Sequence, residues 1–150
     1  MSLAEDAVEA RAKGWRTLAS LHARIEDRLE RALRAGHQLS VSEFTLLEVL
    51  SRQDGFHLRM SQVSNAVVLS QSATTRLVSR LENRGLLQRY LCPTDRRGIY
   101  TELTDAGQRL LREATPTHDA ALAEALEEAG DRAELAPLVR ALAKLPKSAQ

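Results

Sequence analysis

Apolar residues recur mostly every three or four positions through the first 35 residues of the chain. The residues that share this face are Val8, Trp15, Leu18, His22, Ile25, Leu29 and Leu33. Residues 4–35 contain no proline and a single glycine, Gly14. The spacing therefore predicts one long amphipathic helix, and Gly36 is expected to end it.

Three further helices are predicted before residue 84 from apolar clusters that follow helix-start signals. Ser40 and Glu43 have the spacing of a capping box. Ser70 is expected to cap the last of the three helices, and Gly85 to follow its end. The predicted helices cover residues 41–52, 61–68 and 71–83.

The pattern changes to short apolar segments after Gly85. Leu86–Cys92 and Ile99–Leu103 predict two strands, and the residues between them form a charged, turn-rich tip. Two short strands directly after a helix-turn-helix pattern predict a winged helix-turn-helix. The fold class is thus mainly α, with a small β wing of two to three strands.

Helical spacing returns at Thr104, where Asp105 lies in the first predicted turn. Pro116 is expected to bend this helix or to stand near the start of a new segment. Gly130 and Asp131 separate a final helix over residues 135–145, which Pro146 ends. The whole chain, residues 1–150, is expected to form a single domain.

Charge and composition narrow the function classes. Residues 57–104 carry seven arginines against three acidic residues, a net charge of +4, whereas the whole chain carries +1. A basic middle between acidic flanks is typical of a nucleic-acid footprint, although a solvated arginine-rich surface gives the same pattern. No apolar run is long enough to cross a membrane and no signal peptide is present, so the cytoplasm is the expected compartment.

The sequence contains no pattern of residues that is typical of a catalytic site or a metal site. The single cysteine, Cys92, excludes an internal disulfide and a cysteine-based zinc site within one chain. The four histidines lack metal-ligand spacing, and no phosphate loop or catalytic triad pattern is present. We expect no enzyme activity, no metal and no cofactor.

The predicted helix over residues 71–83 has a polar face suited to the major groove of DNA. Its members, at helical spacing, are Ser72, Thr75, Arg76 and Ser79. Arg76 could contact guanine with two hydrogen bonds, while Ser70 and Gln71 stand at the helix start, where a phosphate binds. Arg80 could reach a phosphate or brace the wing. Any solvated helix has a polar face, but serine and threonine are poor helix formers, which favours groove contact.

The tip between the predicted strands carries Asp95, Arg96 and Arg97. A narrow minor groove attracts arginine. An aspartate would repel phosphate, so Asp95 is expected to brace an arginine rather than touch DNA. A surface turn with an ordinary ion pair is the alternative.

These residues resemble the MarR family of bacterial regulators, whose wing pattern is Asp-x-Arg-x-x-x-Leu-x-Leu-Thr. The segment from Asp95 to Thr104 follows it, with Thr101 where the family usually has an aliphatic residue. Residues 76–86, with Arg76, Arg80 and Gly85, resemble the family's recognition helix. The resemblance implies that Arg97 enters the minor groove, that Asp95 orients it, and that Arg96 lies on phosphate or sugar.

The resemblance also implies the partners and the division of the chain. The expected partners are double-stranded DNA, at a pseudo-palindromic site, and a second copy of the chain. Residues 4–36 and 105–145 would form the dimerisation helices and residues 40–104 the DNA-binding lobe. The expected function is a repressor that responds to a small aromatic or anionic effector.

Three alternatives stay open. Trp15 and His22 could line an effector pocket, although a packed or interface histidine explains His22 as well. Cys92 could act as a thiol sensor, but a strand residue is the simpler interpretation. A winged-helix module that binds proteins instead of DNA is the alternative function.

Overall fold

The computed structural model describes residues 2–94 and 98–146. Asp95, Arg96 and Arg97, the predicted wing tip, lie outside the described residues. The helices and strands follow in this order: α1 (Leu3–His37), α2 (Val41–Ser51), β1 (His57–Arg59), α3 (Met60–Val67), α4 (Gln71–Asn83), β2 (Leu87–Leu91), β3 (Ile99–Leu103), α5 (Asp105–Gly130) and α6 (Ala136–Ala143). The predicted mainly α fold with a small wing is confirmed.

The sheet has three antiparallel strands in the order β1-β3-β2. Leu87 pairs with Leu103 and Leu91 with Ile99 across the wing, while Leu58 of β1 pairs with Thr101. The two strands predicted after Gly85 are therefore present. The third strand, β1, follows a single 3-10 turn at Asp54–Phe56.

Local helix signals mostly gave the right boundaries. Ser40 and Glu43 form the predicted capping box: the Ser40 hydroxyl accepts from the Glu43 amide at 3.0 Å, and a Glu43 carboxylate oxygen accepts from the Ser40 amide at 2.9 Å. Ser70 caps α4, and Gly85 follows that helix with φ +74°. Such a backbone favours glycine.

Two predicted helix ends were wrong. Gly36 lies inside α1, which continues to His37, and the left-handed backbone falls on Gln38, at φ 56°. Pro116 does not stand near the start of a new segment, since α5 is continuous across it. The last helix is also shorter than predicted at both ends, because Leu135 precedes it and Lys144 already follows it.

The chain divides into two compact units, one formed by residues Leu33–Thr117 and the other by the segments before Leu33 and after Thr117. The core of the first unit packs α2, α3 and α4 against the sheet through completely or nearly completely buried side chains, among them Phe44, Leu47, Leu50, Val63, Leu77, Val78, Leu81 and Leu87. The smaller core of the second unit consists of Leu21, Ala129 and Leu135, flanked by Ile25, Leu138 and Val139.

The start of α5 is packed closely against the turn that follows α4. The Thr104 hydroxyl donates to the Gly85 carbonyl at 2.7 Å and accepts from the Gly107 amide at 3.1 Å. A Cβ at Gly107 would collide with the Leu86 carbonyl oxygen and with the Leu103 side chain. Only glycine therefore fits at position 107 without a backbone shift.

Candidate nucleic-acid interface

Helix α4 begins at a turn whose side chains are occupied by local hydrogen bonds. The Ser70 hydroxyl accepts from the Ala73 amide at 3.2 Å, and the Gln71 side-chain oxygen accepts from the Ser64 hydroxyl at 3.0 Å. The backbone amides of Gln71 and Ser72 have no partner among the described residues. This end of α4 thus offers two free N–H groups and the positive end of the helix dipole to an anion.

The outward face of α4 consists of the residues predicted for it. Ser72, Thr75 and Arg76 are exposed, and Arg76 makes no ion pair with any residue that the structure describes. The Thr75 hydroxyl donates to the Gln71 carbonyl at 3.0 Å, so part of its polarity is used within the helix. The opposite face is fully buried and holds Thr74, Leu77, Val78 and Leu81.

An ion pair that the sequence reasoning missed joins α4 to the wing. Arg89 of β2 donates from Nη2 to Glu82 Oε1 at 2.8 Å, and its amide donates to Glu82 Oε2 at 3.0 Å. Arg89 Nη2 also donates to the Ser79 hydroxyl at 3.4 Å. The Arg89 hydrogen bond lowers the pKa of Glu82 below its usual value. The opposite charges of Glu82 and Arg89, on either side of Gly85, were the sequence signal that could have predicted this ion pair.

A second ion pair joins the end of α4 to the start of α2. Arg84 donates from Nη1 to the Gln38 carbonyl at 2.9 Å and to Glu43 Oε2 at 3.3 Å. Glu43 therefore serves both as part of the capping box and as a partner of Arg84. Arg80, predicted to contact phosphate or to brace the wing, is exposed, and the wing contact that the structure describes belongs to Arg89.

The wing strands have one buried and one outward face. Thr101, the departure from the expected aliphatic residue, is completely buried, and its hydroxyl donates to the Met60 sulfur at 2.6 Å. On the outward face, the Tyr90 and Tyr100 rings stack at 5.8 Å, and the His57 ring meets Tyr100 edge-on at 4.8 Å. This cluster holds the short β1 on the sheet.

The sequence of this region matches a known family. Residues 37–98, which include α2, α3, α4 and β2, match the family model described as MarR family. Over these residues the chain is similar to the MarR family. The matched segment contains the exposed face of α4 and the Glu82–Arg89 ion pair.

The proteins to which this chain is similar include regulators and solved structures. The chain is 34% identical over 88 residues to the HTH-type transcriptional regulator MhqR of Bacillus subtilis. The aligned residues make up 59% of each protein. The chain therefore spans about three fifths of the length of that regulator.

Two solved structures of similar fold cover more of the chain. Sco3205 of Streptomyces coelicolor, a MarR family transcriptional regulator in complex with DNA, superposes with a TM-score of 0.72 at 27% identity, covering 96% of this chain and 88% of that one. CouR of Rhodococcus jostii, bound to p-coumaroyl-CoA, superposes with a TM-score of 0.67 at 26% identity, covering 89% and 92%. Both likenesses extend well beyond the matched helix-turn-helix.

The two residues predicted to line an effector pocket do not form a described cavity together. Trp15 is 68% exposed, and His22 is exposed and lies 3.5 Å from Glu26. A cavity of about 530 Å³ in the same unit is lined by nine other residues, among them Arg24, Arg28 and Arg132. The assignment of Trp15 and His22 to an effector site stays a prediction.

Cys92 is poorly placed to act as a thiol sensor. Its side chain is buried, and the sulfur lies 3.2 Å from the Thr94 hydroxyl. Its amide donates to the Gly98 carbonyl at 2.9 Å, which closes the base of the wing loop. Cys92 thus lies in the framework of the wing, directly after β2 and one residue beyond the strand in which the sequence placed it.

Within residues 2–94 and 98–146, no group of three or more His, Cys, Asp or Glu side chains could hold a metal ion. Over the same residues, no helix is both long and apolar enough to cross a lipid bilayer.

Proposed function

We propose that this chain is a MarR-family transcription regulator that binds double-stranded DNA sequence-specifically as a homodimer on a pseudo-palindromic operator. The observation that carries the proposal is the exposed face of α4, where Ser72, Thr75 and Arg76 stand beside the two free amides at the helix start. Helix-turn-helix proteins place this helix in the major groove. The likeness to Sco3205, which was solved with DNA, supports the same use of α4 here.

Within this proposal each residue has a defined role. Arg76 contacts a guanine edge, Ser72 and Thr75 allow close approach to the groove, and Ser70 and Gln71 present the helix start to a phosphate. Ser79 joins this face to the wing through Arg89. The proposed minor-groove contacts of Arg96 and Arg97, with Asp95 as brace, lie outside the described residues and rest on the sequence alone.

The proposed regulator works in the cytoplasm, since that compartment holds the DNA of a bacterium, and we assign it no catalytic activity. We further propose that a small aromatic or anionic molecule releases it from DNA, as a repressor's inducer would. The likeness to CouR, solved with p-coumaroyl-CoA, supports a ligand-responsive regulator. The alternative, a protein-binding winged helix, is disfavoured because the exposed face of α4 is polar and cationic, not apolar.

Fluorescence anisotropy on the duplex upstream of the chain's own gene, beside a scrambled duplex, tests the proposed DNA binding. Because phosphate contacts release counterions, affinity should fall steeply between 50 and 200 mM salt, by about tenfold or more. Arg76→Ala should weaken binding to the specific duplex by roughly 10- to 100-fold, since a guanine contact is worth about 1–3 kcal/mol.

The matched control is Arg109→Ala, because Arg109 is also exposed, lies in the same unit and has no described ion pair. It should leave the affinity unchanged. An affinity that did not depend on salt would refute DNA binding. Equal losses for Arg76→Ala on both duplexes would refute only its role in base recognition.

A further inference from the structure

The wing carries a pair of apolar side chains that its own core leaves uncovered. Leu91 of β2 and Ile99 of β3 are direct cross-strand partners, and they are 65% and 47% exposed. They line a shallow cavity of about 340 Å³ together with Arg89 and Tyr90. Single exposed apolar residues are ordinary on protein surfaces, whereas adjacent ones form a small contiguous apolar patch.

The pair lies on the inner face of the sheet, beyond the edge of the core. Side chains alternate along a strand, so Leu91 shares a face with Leu87 and Ile99 shares one with Leu103, and both of these partners are buried. Leu91 lies about 13 Å along the strand from Leu87. The same sheet face is thus covered at one end and open at the end next to the wing loop.

This open end continues the polar face of α4. Arg89 lies between the face of α4 and the apolar pair. It precedes Leu91 by two residues on the same sheet face, and it donates a hydrogen bond to Ser79 of α4. Ser79 in turn follows Arg76 by one helical turn. The surface therefore runs from Arg76 through Ser79 and Arg89 to the pair without leaving one side of the unit.

We propose that Leu91 and Ile99 pack against the deoxyribose rings along the minor groove of the bound duplex. The inference rests on the proposed DNA binding and names a further part of that interface. The sequence that joins the two residues carries Arg96 and Arg97, whose charge draws this end of the wing toward phosphate. Sugar C–H groups form the walls of the minor groove, so an apolar pair beside cationic residues fits a groove wall.

Threonine and valine variants separate a DNA contact from a structural role. Leu91→Thr with Ile99→Thr keeps side chains that favour strands but makes the pair polar, whereas Leu91→Val with Ile99→Val keeps it apolar. On the same upstream duplex, the threonine variant should bind about tenfold more weakly than the valine variant. The salt dependence of the two variants should be equal, because no phosphate contact is lost.

Hydroxyl-radical footprinting supplies a second readout, since it reports sugars that are covered in the minor groove. Wild type and the valine variant should protect sugars outside the major-groove site, and the threonine variant should lose only that protection. Equal affinities and equal footprints for the two variants would overturn the inference. Binding of the wild-type protein to the same duplex would still support the proposed function. A change of oligomeric mass in the threonine variant would instead show that a second copy covers the pair.

Discussion

Val68 is the residue whose backbone conflicts most with its chemistry. It stands in the turn between α3 and α4 with φ 56° and ψ 51°, and its side chain is 86% exposed. A left-handed backbone costs an L-residue about 1–2 kcal/mol, and a β-branched side chain is especially unsuited to it. Since the exposed side chain buries nothing, Val68 strains the turn without compensation inside the unit.

Val68→Gly should therefore raise the free energy of unfolding by roughly 0.5–1 kcal/mol, measured by urea denaturation. Glycine removes the strain but adds about 0.5–1 kcal/mol of unfolded-chain entropy, so the net gain is smaller than the strain. Val67→Gly, one residue earlier inside α3, is the control and should lower the same quantity. A Val68→Gly protein no more stable than wild type would contradict the strain.

Single residues also show why parts of the site were predictable. The Ser40 cap and the Ser70 cap depend on neighbours within three residues, so the sequence displays them completely. The Glu82–Arg89 ion pair depends on how the chain reverses after α4, which residue spacing alone does not specify. The left-handed backbone at Gln38, a residue with no strong preference for it, likewise had no sequence signal.

Among the elements, α5 differs most from its prediction because tertiary packing outweighs proline's cost. Pro116 lacks the amide that would donate to the Arg112 carbonyl, and its ring crowds the preceding turn. The helix nevertheless continues from Asp105 to Gly130, with Leu111 and Ala114 buried just before the proline. Burial on one face of the helix maintains it where local propensity would end it.

Pro116→Ala should stabilise the protein by about 1–3 kcal/mol, because an interior proline costs a helix about 3 kcal/mol relative to alanine. Thermal unfolding would show this as a higher midpoint. Glu113→Gly, an exposed change in the same helix, is the opposite control and should lower the midpoint. If Glu113→Gly lowered it while Pro116→Ala left it unchanged, the proline would carry no cost in α5.

The strand β1 is an element that the sequence pattern could not predict. It has three residues, too few for a visible alternation, and its partner β3 lies more than 40 residues later. The longer strands β2 and β3 were predicted because apolar segments and turn residues mark them locally. Long-range pairing, in contrast, is decided by packing such as that of His57 on Tyr100.

At the scale of the whole molecule, the unit formed by the two ends of the chain exposes large apolar side chains. Val8 and Trp15 of α1 are more than half exposed, and Leu18 is nearly so. The amphipathic period predicted these positions together with Leu29 and Leu33, which are buried, and it did not include Leu21, which is buried too. The proposed second copy of the chain is what would cover them.

Trp15→Glu should therefore halve the mass of the protein in light scattering, because it places a charge in the proposed dimer contact. Ser20→Glu, an exposed change on a different side of the same helix, should leave the mass unchanged. A wild-type protein with the mass of one chain would contradict the dimer directly. A Trp15→Glu protein that kept the wild-type dimer mass would place the contact elsewhere.

The closed space at Gly107 has a consequence for the genetics of such a regulator. Every single-base change that alters a glycine codon adds at least a Cβ or stops the chain, and no Cβ fits beside the Leu86 carbonyl. Such alleles are expected to destabilise the subunit and therefore to be recessive. Under the proposed dimer, an Arg76 allele instead gives a folded subunit that pairs with normal copies and impairs their DNA binding, so it is expected to be dominant. In a merodiploid strain, dominance alone would therefore sort fold-defective alleles from those altered at the DNA-reading face.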